Sequence, residues 1–150
     1  VPNAATIVSA VIDFRTTDNA GVVACLFKIS AVDEDDPAAA TNDATCDTDD
    51  AARTTAQVDW DFTSINAEDS ALQTADFASV VQEIVDRPGW ASGQAMLIHI
   101  DDDGTVGSNF EGQAVASFDH TFAAPTLTIV YTVASDIGQP TGWGFVRMGT

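Results

Sequence analysis

Basic residues are scarce in this chain of 150 residues. It holds five lysines and arginines against 23 aspartates and glutamates, a formal net charge of −18 at pH 7, and Lys28 is the only lysine. A surface of this sign repels nucleic acid and anionic membranes, so the composition argues against both as partners. An excess of Asp also suits a salt-rich environment, because screening weakens the self-repulsion of acidic groups. The alternative is that the surface is acidic without being adapted to salt.

Long apolar runs are also missing from the sequence. Hydrophobic residues make up 45 % of the chain, but no run approaches the roughly 20 residues that a membrane-spanning helix needs. We therefore expect no insertion into a membrane. Length and composition together predict one domain with a substantial hydrophobic core.

Cysteine occurs only twice, at Cys25 and Cys46. Neither belongs to a Cys-x-x-Cys motif and no histidine lies nearby, which argues against a zinc site. A Cys25–Cys46 disulfide would close a loop of about 20 residues and contribute roughly 3 kcal/mol through chain entropy. Two independent thiols are the alternative, and the sequence leaves both open.

Catalytic motifs are missing as well. The two histidines, His99 and His120, accompany no Gly-x-Ser-x-Gly nucleophile elbow, and the chain has no Gly-rich phosphate loop. The sequence therefore predicts no enzyme and no cofactor. Two acidic stretches, residues 33–36 and 101–104, offer oxygen ligands for calcium, although neither matches the EF-hand loop. A solvated acidic loop and a hairpin turn are the alternative interpretations.

One stretch, residues 76–87, has a clear helical period. Five apolar side chains at i, i+3, i+4, i+7 and i+8 share one face of the predicted helix, and the polar ones are expected to face solvent. Asp76 or Thr74 can cap the N-terminus, and Pro88 cannot continue the helix. The residues predicted to be buried are Phe77, Val80, Val81, Ile84 and Val85, and those predicted to be exposed are Gln82, Glu83 and Asp86.

The other periodic stretches alternate with a period of two, which is typical of half-buried β-strands. In the first of them, Val8 is expected to share a buried face with Ala10, Ile12 and Phe14. Short strands separated by turns indicate an all-β fold, an antiparallel β-sandwich of jelly-roll type with one short amphipathic helix. The predicted strands cover residues 6–15, 22–32, 54–62, 95–100, 105–110 and 126–132.

Six segments within residues 1–132 carry a further pattern. They are residues 1–7, 30–37, 53–60, 80–93, 110–112 and 124–127, and the most specific reads VVQEIVDRPGWASG. In this order they resemble DNRLRE-type β-sandwich modules, which are akin to carbohydrate-binding jelly rolls and occur in bacterial surface proteins and phage virion proteins. The resemblance implies a non-catalytic extracellular β-sandwich over residues 1–132. It carries no ligand residues over to this chain.

The C-terminal tail, residues 133–150, is rich in glycine yet too apolar for a solvated linker. It can form an edge strand of its own sandwich, reach into a neighbouring subunit, or continue into a further domain. We favour the arm that reaches a neighbour. Its predicted contact residues are Trp143, Phe145, Val146 and Met148.

The predicted function is that of a structural or interaction module, located outside the cell or on a virion surface. The expected contexts are a virion component, such as a capsid decoration or a tail-fibre domain, and a domain of a surface protein. The expected partners are other protein subunits, in a homo-oligomer or a capsid or tail assembly. The alternative is a carbohydrate-binding module, which would show exposed aromatic residues. Trp60 and Trp90 are expected in the core. The sequence assigns Trp143 to the core less clearly.

Overall fold

The computed structural model describes residues 1–17, 25–39, 52–61, 66–105 and 113–134. Within these ranges the chain forms six β-strands and one α-helix. Their order is β1 (Thr6–Arg15), β2 (Phe27–Ala31), β3 (Val58–Asp59), β4 (Ala71–Gln73), α1 (Ala78–Val85), β5 (Ile98–Asp102) and β6 (Thr126–Thr132).

The described strands form two antiparallel sheets of three strands each. β1 lies between β4 and β6 in the first sheet, and β2 lies between β3 and β5 in the second. The helix α1 contacts both central strands. The predicted all-β sandwich with one short helix is therefore confirmed. The jelly-roll arrangement stays a prediction, because a jelly roll needs about eight strands in two Greek keys.

The hydrophobic core is centred on α1. The face predicted from the helical period is buried, with no member more than 1 % exposed, and it packs against residues of both sheets. Trp90, after the helix, is 5 % exposed and joins this core as predicted. The helix residues and their partners in the core are Phe77, Val80, Val81, Ile84, Val85, Ile7, Ala10, Ile29 and Ala31.

The start of α1 lies two residues later than predicted, and its N-cap residue makes no side-chain cap hydrogen bond. The carboxylate of Asp76 does accept the backbone N–H of Ala78 at 3.0 Å. It also accepts the N–H of Ala10 at 2.9 Å, which ties the helix start to β1. The hydroxyl of Thr74 instead accepts the N–H of Ile12 at 3.0 Å. Of the two predicted capping residues, Asp76 therefore serves the helix and Thr74 serves the sheet.

The predicted face of β1 is wrong at one position. A β-bulge lies between Ile7 and Ser9, where the register against β6 shifts. A bulge inserts one residue and so reverses the alternation of side chains. Val8 is consequently 56 % exposed rather than buried with Ala10, and Ile7 enters the core at 9 % exposure.

β5 is shifted along the chain from the predicted strand 95–100: it begins three residues later and ends two residues later. β5 continues through Asp102, so Asp101 and Asp102 are strand residues rather than the start of a turn. They lie opposite Lys28 and Phe27 of β2. The turn follows at Gly104, whose φ of +95° suits a residue without a side chain.

Three further strands differ from prediction in length or existence. β2 covers only Phe27–Ala31 of the predicted strand 22–32. β3 keeps only two residues of the predicted strand 54–62, because the N–H groups of Thr55 and Ala56 bind the side chain of Glu83 instead of a strand. β4 was not predicted, since three residues carry too little periodicity. The predicted strand residues 22–24, 62 and 106–110 lie outside the described residues.

Candidate functional site

The polar side of α1 binds backbone rather than solvent. The side chain of Gln82 accepts the N–H of Ile7 at 2.7 Å and donates to the carbonyl of Ala5 at 3.0 Å. Both groups belong to the entry into β1. The prediction that Gln82 is exposed is therefore wrong, because its amide replaces a missing strand partner there.

Glu83 performs the same role towards another segment. Its two carboxylate oxygens accept the N–H groups of Thr55 and Ala56, each at 2.7 Å. The carboxylate is half-buried, contrary to the prediction, whereas Asp86 is exposed as predicted. Hydrogen bonds to an ionised acceptor are roughly twice as strong as neutral ones. Glu83 thus anchors the segment that leads into β3.

The C-terminal end of α1 is closed by the N-terminal residues of the chain. The side-chain amide of Asn3 donates to the carbonyls of Val85 and Arg87 at 3.0 and 2.9 Å. The carbonyl of Val85 belongs to the last turn of the helix, where intrahelical partners run out, and that of Arg87 belongs to the turn that follows. The indole N–H of Trp90 donates to the carbonyl of Val1 at 3.0 Å.

The first acidic stretch, residues 33–36, contacts the turn after α1. Arg87 pairs with Asp33 and with Asp35, the latter at 2.9 Å. The hydrogen bond to Asp35 raises the pKa of Arg87 above its ordinary value. A Cβ on Gly89 would lie 2.1 Å from a carboxylate oxygen of Asp35, so any larger residue there would have to displace this side chain from the ion pair.

The aspartates of the second acidic stretch, residues 101–104, also form ion pairs and hydrogen bonds. Arg53 pairs with Asp101 at 2.7 Å, and Lys28 pairs with Asp103 at 2.8 Å. The hydrogen bond that Lys28 donates to Asp103 raises the pKa of Lys28. Asp102 accepts the N–H of Thr105 at 3.1 Å, and hydrogen bonding with Thr105 lowers the pKa of that carboxyl group.

The contacts of the two acidic stretches bear on the prediction that they bind calcium. In the part of the chain that the structure describes, no group of three or more His, Cys, Asp or Glu residues is arranged to hold a metal ion.

Four of the six segments that resemble DNRLRE-type modules meet at α1 and the turn after it. They are residues 1–7, 30–37, 53–60 and 80–93. Contacts that build the fold therefore account for the sequence pattern of these four segments.

The remaining candidate residues do not converge on one site. His99 lies half-buried in β5, and His120 is exposed beside Phe122. Cys25 is fully buried. Cys46 lies outside the described residues, so the disulfide stays a prediction. The tail residues Trp143, Phe145, Val146 and Met148 lie outside them as well.

A cavity of about 220 Å³ lies between the two sheets. Its walls are mostly half-buried side chains, so the cavity reaches the protein surface. No sequence pattern indicated it, because its walls come from segments that are far apart along the chain. The apolar lining consists of Phe14, Phe27, Trp60, Leu72, Ile100 and Val115.

The outer edge of β6 is the second surface feature. One side of β6 pairs with β1, and no described strand pairs with the other side. Leu127, Ile129 and Tyr131 lie opposite core-facing residues of β1, as the alternation predicted. Only Ile129 packs against the core, whereas Leu127 and Tyr131 are each 42 % exposed and Val130 on the other face is 48 % exposed.

β6 and the residues that flank it along the chain are uncharged. Residues 121–134 contain no Asp, Glu, Lys, Arg or His, although the chain as a whole carries a net charge of −18. Natural edge strands are normally protected from association by charged side chains, proline or bulges. β6 itself contains neither charge nor proline, and the bulge in its pairing with β1 lies on β1, at Val8.

The described residues form a β-sandwich with an uncharged strand, β6, whose outer edge pairs with no described strand. Comparison with protein-family models, with curated proteins and with solved structures finds no match. No helix among the described residues is long and apolar enough to cross a membrane.

Proposed function

We propose that this chain is a non-catalytic structural and interaction module that joins other protein subunits through the edge of β6. The context we propose is extracellular, either a virion component such as a capsid decoration or tail-fibre domain, or a domain of a surface protein. The resemblance to DNRLRE-type modules supports this context. The observation that carries the proposal is the uncharged outer edge of β6, with which no described strand pairs.

The edge is long enough for specific pairing. β6 has seven residues, and at about 3.4 Å per residue it offers roughly 24 Å of backbone donors and acceptors. Strand addition of this kind gains affinity from main-chain hydrogen bonds and specificity from alternate side chains. Leu127 and Tyr131 on one face and Val130 on the other supply those side chains.

A second copy of the same chain is the partner that the charges favour. Two copies with a net charge of −18 repel each other over most of their surfaces. The uncharged stretch 121–134 is a surface on which two copies can meet without opposing like charges. Pairing of β6 with β6 of the other copy would give a two-fold symmetric, self-complementary interface and join two three-stranded sheets into one of six strands.

Carbohydrate binding is the second candidate function. Tyr131, on the core-facing side of β6, is nevertheless 42 % exposed, and Phe118 is 89 % exposed. Either ring offers a face on which a sugar can stack. Trp90 is buried and Trp60 lines the cavity, so neither belongs to such a platform.

Sedimentation velocity of two matched variants tests the proposal. Val130→Glu and Val8→Glu both add one negative charge to an exposed valine of the same sheet. Only Val130 lies on the open edge, since near Val8 the backbone N–H of Ile7 is already bound by Gln82. We expect the wild type to associate more tightly at about 1 M than at about 10 mM sodium chloride.

Val130→Glu is expected to weaken that association at least about tenfold, because it places like charges in the interface. Val8→Glu should associate as the wild type does. A wild type that stays monomeric at every salt concentration, or equal losses in both variants, would overturn the proposal. A monomer whose binding to immobilised glycans is lost in Tyr131→Ala would support the carbohydrate-binding function instead.

A further inference from the structure

We propose that the cavity between the two sheets binds a small, uncharged aromatic or alicyclic molecule of one or two rings. This site is separate from the edge of β6, and it does not depend on the function proposed for that edge. Size, wall chemistry and charge each contribute to the inference.

The walls of the cavity come from both sheets. Phe14 of β1 and Leu72 of β4 are register partners in the first sheet, while Phe27 of β2 and Ile100 of β5 face them from the second. Regular strands hold these four side chains in place. A cavity built on paired strands keeps its shape better than one built on loops, and ligand sites are usually largely preformed.

Trp60 supplies the aromatic surface. Its ring centroid lies 6.1 Å from that of Phe14, with an interplanar angle of 17°, and 6.0 Å from that of Phe27, at 36°. Aromatic rings attract one another at centroid separations of about 4.5 to 7 Å in offset or tilted arrangements. The three rings thus already adopt the geometry in which a further flat ring can pack among them.

The volume sets the size of the ligand. Apolar cavities of about 150 Å³ inside proteins bind benzene, and this cavity measures about 220 Å³. One ring with substituents, or two fused rings, therefore fits. The mostly half-buried walls, with Val115 37 % exposed, leave a path for entry.

The lining excludes charged ligands. Gln113 is the one polar residue among the described lining residues, and its side-chain oxygen already accepts the N–H of Asn66 at 2.7 Å. An ionised ligand would lose water there without gaining a partner of opposite charge. Anions are disfavoured further by the net charge of −18. The expected ligand is consequently neutral.

Titration with naphthalene, and with 2-naphthoate as its charged counterpart, tests the inference. Binding is followed by the indole N–H signal of Trp60 in heteronuclear NMR spectra, assigned with Trp60→Phe. We expect naphthalene to shift this signal saturably and 2-naphthoate to bind at least about tenfold more weakly. No saturable shift up to the solubility limit of naphthalene, or equal affinity for both probes, would overturn the inference.

Cavity-filling variants locate the binding site. Leu72→Phe and Val115→Phe each add volume inside the cavity, whereas Val8→Phe adds it to an exposed surface. Each filling variant should lose naphthalene binding at least about tenfold and keep or raise its melting temperature, while Val8→Phe binds as the wild type does. Unchanged affinity in both filling variants would contradict the assignment. So would a lowered melting temperature in both, since it would mean that the chain itself occupies the space.

Discussion

Removing the Glu83 carboxylate tests how α1 holds the segment before β3. Glu83→Ala deletes two hydrogen bonds of 2.7 Å, to the N–H groups of Thr55 and Ala56. A hydrogen bond to a charged group contributes about 1.5 to 3 kcal/mol. Because Glu83 is half-buried and the freed N–H groups can bind water, we take the lower part of that range. The expected loss is about 3 kcal/mol in total, which lowers the melting temperature by about 6 to 12 °C.

Urea unfolding and amide hydrogen exchange measure this effect. Glu68→Ala is the matched control, because it removes the same charge from an exposed side chain. Glu83→Gln, which keeps one acceptor oxygen, should fall between the two. The amides of Thr55 and Ala56 should exchange faster in Glu83→Ala than in the control. A Glu83→Ala protein that melts within about 1 °C of Glu68→Ala would refute the reasoning.

Four further predictions follow from the fold. Ile84→Asp should abolish cooperative thermal unfolding, because it places an unpaired carboxylate at a side chain that is 1 % exposed; a normal melting curve would show that the helix is not docked. Gly89→Ala should lower the melting temperature by displacing Asp35 from its ion pair, and equal melting in an Asp35→Ala background would confirm the cause. The wild-type melting temperature should rise between dilute buffer and about 1 M sodium chloride, since salt screens a net charge of −18, and no rise would contradict salt adaptation. Because folding lowers the pKa of Asp102, its contribution to stability is present above its unfolded pKa and lost as pH falls through the folded value; NMR titration of Thr105→Val should show that pKa rising towards normal.

The apolar face of α1 and the strand β6 could be predicted from sequence because each rests on a short-range period. Helical spacing placed Val80, Val81, Ile84 and Val85 together, and alternation placed Leu127 and Tyr131 on one face. Such periods need no knowledge of the rest of the chain.

Features that depend on distant partners could not be predicted in this way. The exposure expected for Gln82 and Glu83 was wrong because their backbone partners lie more than 20 residues away. The aspartates of β5 were assigned to a turn because nothing local indicates that Lys28 and Arg53 lie beside them. The bulge at Val8 likewise depends on the pairing of β1 with β6.

In the candidate site, too, features with a local sequence period could be predicted and features that depend on distant residues could not. Sequence alternation predicted that β6 is a strand, but only the order of the described strands shows that none of them pairs with its outer edge. The cavity depends on side chains from both sheets and has no local signal. The proposed tail contacts, by contrast, remain a prediction of the sequence alone.

Hydrogen exchange at increasing protein concentration tests the central claim most directly, because association through β6 must protect the backbone amides on its outer edge. We expect exchange within Thr126–Thr132 to slow as concentration rises through the association range, while exchange in the β2–β5 sheet stays unchanged. The slowing should be absent at the same concentrations in Val130→Glu. Association without any added protection of β6 would contradict the account.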